Sequence, residues 1–200
     1  MTPQSTVPAL HDEAARAIST LVTAFADDPF IRWMFPWADQ YLSAFPRVLK
    51  FFAGAAFDSA TAYRSADFSG AALWLPPGVS PDEECLGQVL ADHVDPAMQD
   101  QVFAVMEQVG EGHPEAPHWY LPAMGVDPIR QGAGIGSAVL DHSLACCDLT
   151  CRLAYLESTN PANIPFYQRH GFKVVGEIQI DGSPVLTRML REDACGTGHE

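Results

Sequence analysis

Apolar residues at Ala15, Ile18, Leu21, Val22 and Phe25 recur every three or four positions and predict a helix ending near Phe25. Asp12 stands where a carboxylate can cap its first turn. Before it, residues 1 to 10 are polar and broken by prolines, so any strand there is short and at an edge. Asp27, Asp28 and Pro29 stop the helix. The aromatic segment Phe30 to Trp37, bounded by Pro29 and Pro36, reads as a loop or short helix packed near a pocket. Leu42 to Phe57 reads as a second helix, with Pro46 tolerable only in its first turn. Thr61 to Ala66 and Ala71 to Leu75 are expected to pair as strands around the turn Asp67 to Gly70. Residues 80 to 110 return to helical spacing (Leu86, Val89, Leu90, then Met98, Val102, Val105, Met106, Val109), and Gly110 to Pro117 is a loop.

The remaining chain is more regular. His118 to Val126 reads as a strand interrupted by Pro122. A helix from Gly134 to about Asp148 carries Ile135, Val139, Leu140, Leu144 and Cys147 on one face. Leu153 to Glu157 is a strand, and Ala162 to His170 a short helix ended by Gly171. Phe172 to Ile180 and Pro184 to Leu190 form a hairpin around Asp181-Gly182. The tail beyond Arg191 is polar and expected to be disordered over 192–200.

Two hundred residues with 48% hydrophobic content suffice for one domain with a real core, expected over 1–191. The formal net charge of -14 argues against nucleic acid or anionic membrane as partners. Between Arg64 and Arg130 there is no Lys or Arg, while acids recur. That stretch is either a solvated acidic surface or a field that draws in a cationic amine. The longest tight apolar run, Phe51 to Phe57, is far below the roughly 20 residues of a membrane span. The first basic residue is Arg16 and no apolar stretch follows Met1, so no secretory leader is expected. Five cysteines without such a leader suggest reduced thiols and a cytoplasmic location.

The chemistry concentrates in Val126-Asp127-Pro128-Ile129-Arg130-Gln131-Gly132-Ala133-Gly134-Ile135-Gly136-Ser137. A strand ends, a glycine-rich turn follows and a helix begins. Unpaired N–H groups at such a helix start suit a pyrophosphate. One ligand class is a dinucleotide, with Glu157 at the next strand end as the ribose acid. Against it, Ser137 occupies the third glycine position, and the 64 residues after Gly136 end in a hairpin, too little for a doubly wound sheet. The other class is an acyl-coenzyme A.

The pattern Gln131-x-x-Gly134-x-Gly136 resembles the pyrophosphate signature of the GNAT superfamily of N-acetyltransferases. The run Leu156-Glu157-Ser158-Thr159-Asn160-Pro161-Ala162-Asn163-Ile164-Pro165-Phe166-Tyr167-Gln168-Arg169-His170-Gly171-Phe172 resembles its second signature, in the same order. Within that superfamily, His118-Trp119-Tyr120-Leu121 leading into Gly125-Val126 is similar to the puromycin N-acetyltransferase-like subgroup. Residues 28–117 resemble it only loosely. The resemblance implies an α+β fold with a splayed, mostly antiparallel central sheet and helices on both faces. Residues 118–190 would form the acetyl-CoA-binding core, and 28–117 a variable acceptor side. Met124, Gly125 and Val126 would meet the pantetheine arm. Gln131, Gly132, Ala133, Gly134, Ile135, Gly136 and Ser137 would hold the pyrophosphate. Asn160, Asn163 and Phe166 would complete the cofactor site.

The reaction implied is acetyl transfer from acetyl-CoA to a primary amine, expected to belong to a small molecule, by direct attack in a ternary complex. Tyr167 would protonate the leaving thiolate, since it lies one helical turn beyond Asn163. Glu157 would serve as base or as a link to water, or else only orient its strand. Phe30 and Trp33 would form the acceptor wall. No metal is expected. Alternatives are acetylation of a protein or peptide amine, or a non-catalytic acyl-CoA-binding module, and a homodimer is left open. A nucleotide-dependent oxidoreductase is the competing class. Cys146-Cys147-x-x-x-Cys151 lacks zinc-site spacing. Asp92-His93-x-Asp95 reads as a solvated helix end, and no role is assigned to His113 or His118.

Overall fold

The structure is a computed structural model, and it describes residues 5–192 and residue 195. In chain order the elements are β1 (Thr6–Pro8), α1 (Ala14–Ala24), α2 (Pro29–Met34), α3 (Ala38–Ala53), α4 (Ala55–Asp58), β2 (Ala62–Ser65) and β3 (Gly70–Leu75). Next come α5 (Glu83–His93), α6 (Gln99–Glu111), β4 (His118–Val126), α7 (Ile135–Leu149), β5 (Leu153–Ser158), α8 (Ile164–Arg169), β6 (Lys173–Ile178) and β7 (Leu186–Arg191). Short 3-10 turns precede α1, α7 and α8.

The strands form one sheet in the order β1-β2-β3-β4-β5-β7-β6. Every neighbouring pair is antiparallel except β4 and β5. Those two pair only over His118↔Leu153, Trp119↔Ala154 and Tyr120↔Tyr155, and then part. The parting begins where β4 bulges against β3. Tyr120 to Ala123 on β4 spans the same register as Leu75 to Leu73 on β3. Pro122 sits inside that bulge and has no N–H to give to a ladder. The splayed, mostly antiparallel mixed sheet is the one expected.

The period-2 alternation of the strands divides the core between the two faces. Leu73, Leu75, Tyr120 and Tyr155 face α1 to α6. Ala72, Trp74, Trp119, Ala154 and Leu156 face α7 and α8. Helices therefore cover both faces. The α1–sheet contact is close because Gly125 has no side chain; a Cβ there would lie 2.5 Å from that of Ala24.

Several local expectations change. The first helical segment is capped not by Asp12 but by Glu13, whose carboxylate accepts the Leu10 N–H at 3.0 Å. Asp12 falls within the 3-10 turn His11–Glu13. The second helix starts at Ala38, which places Pro46 in its interior rather than its first turn. The amphipathic face of Tyr41, Ala44, Phe45, Val48 and Leu49 is buried, and its packing outweighs the one lost hydrogen bond. The 80–110 segment is two helices, parted at Val94–Met98 around Pro96. Cys151 and Cys195 form a disulfide, contrary to the expectation of reduced thiols throughout. Cys151 turns the chain out of α7 with a positive φ, which brings it beside the segment that follows β7. Apart from Glu192 and Cys195, the tail expected to be disordered lies outside the described residues. Among the described residues no helix is long and apolar enough to cross a membrane.

Candidate active site

The gap between β4 and β5 opens a cleft of about 620 Å³. Its floor is Met124, Gly125 and Val126 of β4. At one end the chain leaves β4 through Asp127, whose carboxylate accepts the Ile129 N–H at 3.1 Å and starts a 3-10 turn. It then passes through Gly132 and Gly134 at φ of 76° and 81°, a backbone region that side chains with a Cβ resist. Gly134 is the N-cap of α7 and offers no capping side chain. The first-turn residues Ile135, Gly136 and Ser137 border the cleft, so their N–H groups are left for whatever fills it. Gln131, Gly132 and Gly134 also line it, whereas Ala133 does not. The Gln131 amide donates to Val126 O at 3.3 Å and holds the turn closed.

The opposite wall is α8 with its preceding turn. The Asn160 side chain accepts the Ala162 N–H at 3.0 Å and starts that turn. Asn160, Asn163, Phe166 and Tyr167 all line the cleft. Burial pushes the Tyr167 phenol up, and the Asp28 carboxylate pushes it further. It stays protonated, as a proton donor must.

A second cavity, of about 60 Å³, lies beside the cleft. It is apolar: Phe25, Phe30, Met34, Phe45, Phe52 and Leu90 are among its walls. Its polar groups are Tyr120, Thr159 and Glu157. The alternation of β5 brings Glu157 there, on the same face as Tyr155. The Glu157 side chain is only 5% exposed. Tyr120 donates to its Oε2 at 2.8 Å, while Oε1 has no hydrogen-bond partner. Burial pushes this carboxyl up to about 7, against the opposing pull of Tyr120, Tyr155 and Arg188.

The two cavities abut. Phe25 belongs to both. Asp28 of the cleft accepts a 2.6 Å hydrogen bond from Thr159 of the apolar cavity. A polar cleft thus ends against a small apolar chamber holding one carboxylate. Residues 97–174 match the family model of the acetyltransferase (GNAT) domain.

That stretch is therefore similar to a GNAT acetyltransferase domain. The chain is 24% identical, over 88% of its length and 78% of the relative's, to an uncharacterised N-acetyltransferase of Schizosaccharomyces pombe. Among solved structures it resembles one described as histone acetyltransferase HPA2 and related acetyltransferase from Corynebacterium glutamicum. The TM-score is 0.67 and the identity 24%, covering 96% of this chain and 98% of that one. It also shares its fold with arylalkylamine N-acetyltransferase 2 from Aedes aegypti, at TM-score 0.65 and 12% identity, covering 94% and 98% of the two chains. These likenesses support an acyl-CoA-dependent acetyltransferase.

The expected site residues fall unevenly. Every expected cofactor residue except Ala133 borders the one cleft. Phe30 and Glu157 meet in the apolar cavity, but Trp33 does not line it and instead stacks on Phe30 at 5.6 Å. Four side chains in or beside the site were not singled out from sequence. Arg130 and Arg169 bring positive charge to the cleft of an acidic protein. Asp28 closes the passage between the cavities, and its acid side chain is buried as the N-cap of α2, accepting from Phe30 and Ile31 N–H. Tyr120 holds Glu157. The signals available were the basic residue within the glycine-rich segment and the aspartate before Pro29.

Proposed function

We propose that this protein transfers the acetyl group of acetyl-CoA to the primary amine of a small molecule by direct attack in a ternary complex. The observation that carries this reading is the abutment of the two cavities at Phe25, Asp28 and Thr159. The long cleft fits the coenzyme. Uncapped N–H groups at the start of α7 and the guanidinium groups of Arg130 and Arg169 suit its phosphates, and the open strand of Met124 to Val126 suits its amide-bearing arm.

The coenzyme supplies an activated thioester. This chain's residues supply the proton traffic. Glu157, ionised above about pH 7, takes the proton from the bound ammonium. The freed amine forms the C–N bond as the C–S bond breaks; Tyr167 gives its proton to the departing sulfur and is restored by the second proton that the nitrogen loses on becoming an amide. A nearly apolar chamber with one carboxylate suits a monoamine on a compact apolar body better than a polyamine, whose second charge would be buried without a partner. Acetylation of a protein amine is disfavoured by the small volume of the chamber.

A screen of acetyl-CoA consumption against alkyl and arylalkyl monoamines, polyamines, puromycin-like amines and peptide N-termini tests the reading. The expected result is turnover concentrated in the apolar monoamines, with puromycin-like amines probing the subgroup resemblance. Coenzyme binding without thioester consumption by any amine would instead indicate a binding module.

A further inference from the structure

Glu157 is buried at an apolar chamber, where a carboxyl favours its neutral form and so cannot take a proton from an amine. We propose that Tyr120 is the positioning residue that makes Glu157 a usable base: its hydroxyl reaches across the gap between β4 and β5 and fixes the ionised carboxylate at the chamber wall. The inference rests on the reading of Glu157 as base.

The sheet explains why the donor stands at position 120. Tyr120↔Tyr155 is the last pair of the β4–β5 ladder. Glu157 lies two residues further along β5, on the same face, where β4 has already turned away. Arg188 stands opposite it on β7, but its β4 side is left open by the splay. A tyrosine at the last paired position is long enough to span that diagonal, and its hydroxyl meets Glu157 Oε2 at 2.8 Å. Rings hold Tyr120 on several sides: Phe52 edge-on at 6.0 Å, His113 at 4.4 Å and Tyr155 at 6.0 Å. Tyr120 and Glu157 both line the chamber, so their hydrogen bond stands at the amine's wall.

An ionised carboxylate can only accept, so the Tyr120 hydroxyl donates. Burial, and then the Glu157 charge, push that phenol well above its ordinary range, so it stays a donor and is not itself the base. A hydrogen bond to a charged acceptor is stronger than one to a neutral acceptor, so this bond favours the carboxylate over the acid. The other charged or titratable groups facing Glu157 are Tyr155 of β5, Arg188 of β7 and His113 of the loop before β4. Tyr155 and Arg188 pull the same way, but of the two tyrosines only Tyr120 has full hydrogen-bond geometry. His113, which burial and then His118 push down to about 4, is neutral when Glu157 titrates. From α2, α3, α5 and α6 only apolar residues line the chamber. Burial pushes Glu157 up to about 7, and the Tyr120 hydrogen bond is the strongest of the groups that oppose it.

Carbon NMR of the Glu157 carboxyl in the full chain, free of coenzyme, tests the coupling without any activity. Wild type should titrate at about 7. Tyr120→Phe keeps the ring and removes only the donor; it should raise that midpoint by about 1 pH unit, and Tyr155→Phe should raise it less. An unmoved midpoint in Tyr120→Phe, or a larger shift in Tyr155→Phe, overturns the proposal. Kinetics then read its use. The ratio of wild-type to Tyr120→Phe kcat/KM for the amine should be about 10-fold at about pH 6 and fall nearly to one at about pH 9, with acetyl-CoA affinity unchanged. A loss that stays constant with pH reflects packing alone and overturns the proposal. Should Tyr120→Phe not fold, the hydroxyl proton of Tyr120 in wild type decides: it should move downfield as pH rises through about 7, and a resonance that does not move overturns the proposal. A wild-type protein that acetylates no amine instead removes the acetyltransferase reading, while the carboxyl titration still decides whether Tyr120 governs Glu157.

Discussion

The coenzyme cleft and the amine chamber share a boundary but are built on opposite principles. The cleft is about 620 Å³ and bordered by backbone turns; the chamber is about 60 Å³, apolar and made of packed side chains. The first is drawn mainly from two stretches, the end of β4 through the start of α7 and the turn into α8, with residues 24–28 bordering it. The second gathers residues from α2, α3, α5, α6, β4, β5 and β7, with Phe25 just after α1. A site whose ligand is recognised by backbone geometry can be written in a short motif. A site recognised by shape is spread over the chain and resembles ordinary core.

The sharpest way to break the comparison is to alter one side and read both. Glu157→Gln, on the chamber side, should lower kcat/KM for the amine by about 10²–10⁴ while calorimetric acetyl-CoA affinity stays as in wild type. Tyr167→Phe, at the junction, should lower turnover by roughly 10- to 1000-fold with little change in coenzyme affinity; unchanged turnover would remove Tyr167 from the chemistry. Gly134→Val, on the cleft side, forces a Cβ into a φ of 81° and should weaken acetyl-CoA binding by about 10-fold. Amine KM at saturating coenzyme should hardly move. Val109→Leu adds one methylene to the chamber and should raise amine KM by about 5- to 10-fold, with no effect on coenzyme affinity.

The smallest effect is on stability. The folded Glu157 carboxyl titrates near 7 instead of 4.5, so its contribution is complete below pH 4.5 and is lost as pH rises through 7. His113, pushed from 6.5 to about 4, has the opposite sign: its contribution is present above pH 6.5 and is lost as pH falls through 4. The two slopes oppose each other between pH 4.5 and 6.5. Above about pH 7 the cost of the buried Glu157 anion stands alone, so Glu157→Gln should raise Tm at about pH 8 and lose that advantage below about pH 4.5. An equal Tm at both would contradict the burial argument.

The same contrast explains what was legible in the sequence. The strand-turn-helix around Gly132 and Gly134 was readable because positive φ has few residue choices. The α7 core face was readable from its 3.6-residue period, and Ile135, Val139, Leu140, Leu144 and Cys147 are all buried. The chamber was not. Phe30 and Trp33 look equivalent as neighbouring aromatics on one helix face, yet only Phe30 lines the chamber, and Trp33 stacks against it. His113 and Tyr120 carried no motif; packing across α6, β4 and β5 brings them to Glu157. Pro46 shows the limit of local rules, since burial of one helix face overrode a helix-breaking residue.

The central claim is that the cleft at the start of α7 holds acetyl-CoA and delivers it to the Glu157 chamber. Calorimetric titration of acetyl-CoA into wild type, Gly134→Val and Glu157→Gln tests it most directly. The account predicts wild-type affinity on the order of 1–100 μM, weakened in the glycine variant and preserved in the glutamate variant. No heat of binding at millimolar coenzyme, or equal affinity in all three proteins, would contradict it.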